Sequence, residues 1–347
     1  MDLVRLLGIV LALVPVLAPP YWVIVAQSTL ALSIAALGVN LLFGYTGLLS
    51  LGHAAYFGIG AYAGGFLFTF ADVTAFEIYL VAGLLASTTL AMAAGAVCVR
   101  ATRLFFTILT LALTQTVHAM FVGGAAFRPF KLGKGFFMIG DGGLYLPRFT
   151  MAGKEIRPGQ FEVTFYYVVL AAFLLSALVL SRVVRSPFGM ALRAIRDNDT
   201  RAAFVGLPVR LHRWQAFVVS GFFTGLAGAL SGQIDRQVTP HQLDWLVSAE
   251  LVVAVILGGS GYFWGPVIGV VVLVALEDRA AVRDLPRPRP RSDARRRRRV
   301  PARRPRRRWR ARLEYPARGL EGAGGSAVTL AISAPALCRS SGRSPPA

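Results

Sequence analysis

The sequence contains few residues whose types and spacing could support catalysis or metal binding. Its four histidines are scattered, and its two cysteines, Cys98 and Cys338, fit no metal-site or disulfide pattern. It has no Ser-His-Asp or Cys-His arrangement that could activate a nucleophile, and no glycine-rich phosphate loop ending in Lys-Ser or Lys-Thr. We therefore expect no catalytic residue, no metal ion and no cofactor on this chain.

Charge is distributed very unevenly along the 347 residues. The 37 Lys and Arg exceed the 17 Asp and Glu by 20, yet 55% of the residues are hydrophobic and only 16% are charged. Residues 281–347 hold 19 Arg and 4 acids, whereas residues 1–280 have a net charge of only +5. The composition excludes a soluble basic domain, and we expect no nucleic-acid partner, although a membrane-tethered nucleic-acid binder would depend on the basic end alone.

Apolar segments of the length needed to cross a bilayer fill the first 280 residues. They predict an all-α integral membrane protein, a polytopic helical bundle of about eight spans, with a transmembrane domain over 1–278. The first segment resembles a signal peptide, but a second follows at once, and we interpret the first as a retained short span. The segments are 3–18, 21–43, 47–70, 79–98, 104–124, 164–184, 214–233 and 247–276.

Two of these segments contain glycines that favour broken or re-entrant structure. The segment 247–276 is interrupted at Gly258, Gly259 and Gly261, and non-helical backbone at membrane depth is tolerated only inside protein or beside water. Glycines are also crowded over 44–65, where they permit either close helix packing or a non-helical border to a translocation path. The crowded glycines include Gly44, Gly47, Gly52, Gly60 and Gly64.

His53 lies within the same glycine-rich stretch. An ionisable side chain inside a bilayer is a candidate functional group. A neutral imidazole near a helix end is equally well explained by a hydrogen bond to a backbone carbonyl. His53 therefore belongs either to the translocation path or to helix packing, and we do not assign it as a ligand.

The positions of arginine predict the orientation. Arg5, Arg100, Arg103 and the segment 185–213 fall on one side when every intervening segment crosses the membrane, and this side is expected to be cytoplasmic. The loop 125–163 then faces outward.

The arginine-rich residues 186–213, which we call the basic segment, predict one cytoplasmic helix. Pro187 favours a helix start, and Gly206 followed by Pro208 favours a stop. Small residues share one face with Leu192 and Ile195, while charged residues spread over the other. Two interpretations remain open: a surface helix lying along lipid phosphates, or a coupling helix that docks a cytoplasmic partner.

Three stretches together resemble the LivM-type permease family of branched-chain amino-acid ABC importers. They appear in the family's order and cover most of residues 20–278. In this sequence they read NLLFGYTGLLSLGHAAYFGIGAYAGG (40–65), SPFGMALRAIRDNDTRAAFVGLPV (186–209) and ELVVAVILGGSGYFWGPVIG (250–269).

This resemblance implies a permease subunit in a bacterial inner (plasma) membrane that imports branched-chain or related amino acids by alternating access. Its implied partners are a LivH-like second permease subunit, two cytoplasmic ATPase subunits that bind the ATP, and an extracytoplasmic substrate-binding protein. A urea or short-chain amide permease shares the same motifs, and a stand-alone secondary transporter or channel is the alternative from another class. The residues that match the family's ATPase-docking pattern are Gly189, Ala191, Arg193, Ala194, Arg196, Asp197, Asn198, Ala202, Ala203 and Gly206.

From residue 279 the sequence becomes a tail of mostly Arg, Pro and Ala with no apolar periodicity. Such a composition predicts disorder. A nucleic-acid arm and a polybasic lipid-binding segment are both conceivable, but we favour a frame change near Glu277–Arg283, because a GC-rich gene translated in a shifted frame yields this composition. The family's pattern continues here with a further apolar segment.

Overall fold

The computed structural model describes residues 11–12, 14–15, 18–71, 73–101, 103–122, 143–146, 150 and 158–284. Most of the predicted first span (3–18) and of the predicted external loop (125–163) lie outside the described residues. So does the tail from residue 285 onward. Those three assignments therefore stay predictions.

The described residues are mainly helical. In chain order the helices are α1 (Pro20–Thr46), α2 (His53–Ala71), α3 (Phe76–Cys98), α4 (Arg103–Val122), α5 (Pro158–Arg185), α6 (Pro187–Asp197), α7 (Asp199–Phe204), α8 (Val209–Asp235), α9 (Trp245–Gly258) and α10 (Gly265–Asp284). Strands β1 (Leu144–Tyr145) and β2 (Gln237–Val238) form a short antiparallel pair, followed by a 3₁₀ turn at Pro240–Leu243.

Helix length and apolarity confirm an α-helical membrane bundle. Among the described residues, five helices are long and apolar enough to cross a membrane: α1, α3, α5, α8 and residues 104–122 of α4. The count of about eight spans is not confirmed. The apolar helix α9 has only 14 residues, a length of about 21 Å, so it reaches only part of the way across a bilayer.

Glycines bring the backbone of α8 into contact with its neighbours. A Cβ atom added at Gly60 of α2 would lie 2.2 Å from the carbonyl oxygen of Gly225 in α8, and one added at Gly228 would lie 1.9 Å from that of Phe57. A Cβ at Gly64 would overlap the ring of Tyr79 in α3. Helices α2, α3 and α8 therefore pack at distances that only glycine permits.

The segment 247–276 is broken, as its glycines predict. Helix α9 ends at Gly258, Gly259 adopts φ 93°, and α10 begins at Gly265. The two helices pack closely, because a Cβ at Gly258 would lie 1.8 Å from the Gly265 carbonyl oxygen and one at Gly269 would lie 1.8 Å from that of Ala254. Gly261, in the connection, has open space around its Cα.

Residues 187–204 of the basic segment form two helices, and the prediction of one continuous helix is wrong. The chain leaves helical geometry at Asn198, which has φ −158° and ψ 108°. The Asn198 side chain accepts a hydrogen bond from the Arg201 N–H and so caps a new helix, α7. Asparagine is a favoured N-cap residue because its side chain satisfies an otherwise unpaired backbone donor. The predicted start at Pro187 is confirmed.

Contacts between helix ends show which segments lie at the same end of the bundle. Arg100, after α3, lines one cavity with Asp199 and Arg210, so it lies at the same end as the basic segment; we call this the basic end. At the opposite end Gln27 of α1 donates to the Glu162 carbonyl, and Leu146 donates to that of Arg236. The assignment of the basic end to the cytoplasm stays a prediction.

Candidate functional site

Three distant parts of the sequence meet at the C-terminal end of α1. The Arg196 guanidinium of α6 donates a hydrogen bond to the Gly44 carbonyl oxygen. A Cβ at Gly44 would lie 2.4 Å from the carbonyl oxygen of Ser260, between α9 and α10. The structure thus brings together the glycine-rich stretch, the basic segment and the break after α9, and we call this meeting point the Gly44 junction.

Further contacts join the same elements around the Gly44 junction. The Arg193 guanidinium lies 5.1 Å from the centre of the Tyr45 ring, a cation–π geometry. Gly47 adopts φ 71°, and a Cβ there would lie 3.2 Å from Cγ of Arg196. Asn40 donates from Nδ2 to the Tyr262 carbonyl oxygen at 3.3 Å. Helix α6 and the α9–α10 connection therefore both rest on the last turns of α1.

Residues 48–52, the re-entrant segment, run back into the bundle without helical structure. Their carbonyl oxygens cannot be solvated by lipid, so side chains must satisfy them. Thr107 of α4 donates to the Leu49 carbonyl oxygen at 2.7 Å, and Thr114 donates to that of Leu51 at 3.2 Å. Thr110 accepts from the Leu51 N–H at 3.3 Å, and a Cβ at Gly52 would lie 3.1 Å from its Cβ.

The re-entrant segment is deep because its threonine partners span much of α4. Thr107 and Thr114 are seven residues apart, which corresponds to about 10 Å along the helix. The segment therefore follows α4 from near the basic end toward the middle of the bundle. This threonine stripe was not found from the sequence, although the spacing of positions 107, 110 and 114 places them on one helix face.

His53 begins α2 and is buried among serines. Its Nε2 lies 2.7 Å from the Ser220 hydroxyl oxygen of α8, and its Nδ1 lies 3.3 Å from the Ser50 carbonyl oxygen. The next residue, Ala54, donates its N–H to the Ser248 hydroxyl at 2.7 Å. Groups of three or more His, Cys, Asp or Glu able to hold a metal do not occur among the described residues. The contacts of His53 are those of a side chain that ties α2 to α8.

The residues of the predicted docking pattern divide between buried and exposed positions. Gly189, Ala191 and Ala202 are buried against the bundle. A Cβ at Gly189 would lie 2.1 Å from the Val184 carbonyl oxygen, so α6 follows α5 through a very tight turn. The exposed members are Arg193, Ala194, Arg196, Asp197, Asn198, Ala203 and Gly206.

Two large apolar side chains beside these residues are exposed. Phe204 is 88% exposed and Val205 is 82% exposed, at the end of α7 and directly before Gly206, which has φ 91°. Helix α7 is held to α8 by an ion pair between Asp199 and Arg213. Phe204 and Val205 are therefore large apolar groups exposed at an end of the protein where charged residues predominate.

Known proteins match most of the described chain. The family described as "Branched-chain amino acid transport system / permease component" matches residues 21–283. The high-affinity branched-chain amino acid transport system permease protein LivM of Escherichia coli is 26% identical over 261 residues, and that of Salmonella typhimurium is 27% identical. These alignments cover 72% of this chain and 61% of each relative, so the chain spans less than two thirds of their length. No solved structure matches significantly.

The threonine stripe generates a test of the re-entrant segment. Thr114→Val keeps the shape of the side chain but removes a buried hydroxyl whose proton is shared between the Leu51 carbonyl oxygen at 3.2 Å and the Thr110 carbonyl oxygen of its own helix at 3.1 Å. We expect the free energy of unfolding to fall by about 1–3 kcal/mol, the range for an unsatisfied buried group. Thermal unfolding of the purified protein in detergent measures the change.

Thr116→Val provides the matched control on the same helix. Thr116 is exposed and donates only to the Ala112 carbonyl oxygen of its own helix, so its replacement should change stability by less than about 0.5 kcal/mol. Equal effects of the two substitutions would contradict a specific role for Thr114.

Proposed function

The chain belongs to the family of permease components of branched-chain amino-acid transport systems, and on this basis we propose that it is the membrane subunit of an ATP-driven importer. Its proposed substrates are branched-chain or related amino acids, in keeping with the names of the LivM relatives. The chain itself is a transport permease and not an enzyme. ATP would be bound and hydrolysed by separate subunits.

The structural observation that supports coupling to separate ATPases is the Gly44 junction. An importer driven by separate ATPases needs a mechanical connection from a docking surface to the membrane helices. Arg196 supplies one, since it belongs to α6 and its guanidinium holds the Gly44 carbonyl oxygen in α1. The same turn of α1 contacts the α9–α10 connection through Ser260 and leads into the re-entrant segment.

We propose alternating access as the mechanism. Closure of the ATPases on nucleotide would move α6 and α7, and Arg196 would pass this displacement to the last turn of α1. Gly47 in its left-handed conformation is a suitable hinge at the end of that helix. The re-entrant segment and the α9–α10 connection would then shift together and open or close the path on one side.

The ATPases would dock on the exposed residues of the basic segment other than Arg196, whose guanidinium is directed to the Gly44 carbonyl oxygen. The exposed apolar pair Phe204 and Val205 supplies contact area, and Ala203 leaves room for an approaching surface. Asp197 and Arg201 line a cavity with Val205 and flank this area with charges that can fix the orientation of a partner. Two ATPase subunits, a LivH-like second permease and an extracytoplasmic binding protein complete the proposed assembly in a bacterial inner membrane.

The frame change remains part of this proposal. The family match ends at residue 283, within the region where the composition becomes rich in Arg and Pro. We propose that the native continuation is a further apolar segment, lost through a shift near Glu277–Arg283. Resequencing the gene tests this: a change of frame should lie in that region, and one unbroken frame would refute it.

Ala203→Arg tests the docking surface. A bulky charge on this exposed small residue should abolish co-purification with the ATPase and reduce leucine uptake by membrane vesicles more than tenfold, without changing the melting temperature. Ala203→Ser is the control and should retain both co-purification with the ATPase and leucine uptake.

Uptake of urea or a short-chain amide is measured in parallel to identify the related substrate class. Uptake that persists without any ATPase would instead indicate a stand-alone transporter or channel.

Arg196→Gln tests the connection separately from docking. Loss of the contact with Gly44 should leave the ATPase bound and hydrolysing ATP, while leucine uptake by the reconstituted complex falls on the order of tenfold, as expected for the loss of a charge-assisted hydrogen bond. Arg182→Gln is the control. It removes one charge at an exposed position of α5, also at the basic end, and should leave leucine uptake unchanged. Parallel loss of ATPase binding and uptake in Arg196→Gln would contradict a transmitting role.

A further inference from the structure

A cavity of about 520 Å³ opens at the basic end, beside the turn between α3 and α4. Its polar lining comes from Arg100 in that turn, Asp199 at the start of α7, and Arg210 and Arg213 near the start of α8. Its apolar lining includes Leu104 and Phe105 of α4. Three separate parts of the chain therefore build one basic cavity.

The charges of the lining favour an anion. Three arginines face a single carboxylate, and Asp199 already forms an ion pair with Arg213. The lining thus has an excess of two positive charges. Guanidinium groups bind phosphate with paired, charge-assisted hydrogen bonds, so this excess is best matched by a phosphate group.

Arg213 adds an independent indication that a ligand belongs in the cavity. The residue is only 9% exposed, and one amino group of its guanidinium is taken up by Asp199. Its Nε–H has no hydrogen-bond partner in the described part of the chain. A buried charged donor without an acceptor is costly, and an anionic oxygen in the cavity would satisfy it.

The apolar side of the cavity indicates where the anion comes from. Leu104 is 80% exposed and Phe105 is 68% exposed, and the apolar membrane-crossing part of α4 begins at Leu104. The basic groups therefore lie at the boundary of the hydrocarbon, where phospholipid phosphates are found, and the two exposed side chains are placed to contact acyl chains.

We propose that this cavity binds the phosphate of an anionic phospholipid, with Arg100 and Arg210 as its main ligands and the acyl chains lying along Leu104 and Phe105. Because Asp199 and Arg213 also hold α7 to α8, the bound lipid ties the basic segment to the α3–α4 turn. The site requires only the folded chain in a membrane, so it is testable without transport or ATPase partners.

Photo-crosslinking of the full chain tests the site. Vesicles of phosphatidylcholine contain a minority of phosphatidylglycerol that carries a photoreactive acyl chain, and mass spectrometry measures the yield on the peptide containing Leu104 and Phe105. Arg100→Gln combined with Arg210→Gln should lower this yield on the order of thirtyfold at low lipid concentration, because each substitution removes a charge-assisted hydrogen bond to the lipid phosphate that contributes about one kcal/mol. The Arg→Lys pair should restore part of the yield.

Arg182→Gln combined with Arg185→Gln is the matched control, since it removes two charges from α5 at the same end. The control should keep the crosslinking yield of the unchanged chain. If its yield falls as much as that of the Arg100/Arg210 pair, the lipid is attracted by the overall positive charge of the basic end, and the specific site is refuted.

Suppression of the crosslink by millimolar inorganic phosphate with no preference for phosphatidylglycerol would overturn the lipid assignment. If the Gln pair keeps the crosslink but loses a co-expressed ATPase, the cavity binds the ATPase instead. The single variant Arg210→Gln, at an exposed position, replaces the pair if the pair fails to fold.

Discussion

Satisfaction of backbone hydrogen bonds away from water is the constraint on which this architecture depends. A helix satisfies its own backbone, but the chain breaks helical structure at residues 48–52 and again between α9 and α10. Lipid offers no partners at such breaks, so both must be enclosed by protein or border water. The threonine hydroxyls of α4 and the serine hydroxyls of α8 and α9 provide the enclosure for the first break.

The same constraint explains why the Gly44 junction can serve as a connection. The last carbonyl groups of a helix have no partner within the helix and carry its partial negative charge. Arg196 satisfies one of them from outside the bundle, so the position of α6 and the conformation of the end of α1 are linked by a strong interaction. A displacement of α6 must either carry the end of α1 with it or break this hydrogen bond.

Local features of the sequence predicted most of the helices and the position of the second break. The length of an apolar segment is read directly from the sequence. Pro187 and the glycines at 258–261 restrict or free the backbone at their own positions, so their effect can be predicted without a structure. The division of the basic segment at Asn198 was missed, although asparagine is a known cap, because the helical periodicity continues across it. The threonine stripe and Arg196 were not recognised as partners of 44–52 because those contacts join residues far apart in the sequence.

Glycine has two different roles in this bundle, and the difference indicates which parts can move. At Gly60, Gly225 and Gly228 the backbones of α2 and α8 are in contact, and such close packing leaves little freedom to slide. Gly47 and Gly259 instead adopt positive φ at the two breaks, where a backbone rotation changes the direction of the chain. Helices α2, α3 and α8 are therefore the closely packed part of the bundle, whereas the positive-φ glycines lie at the end of α1 and in the α9–α10 connection. The side-chain contact from Arg196 reaches the end of α1 at Gly44 and not the closely packed helices.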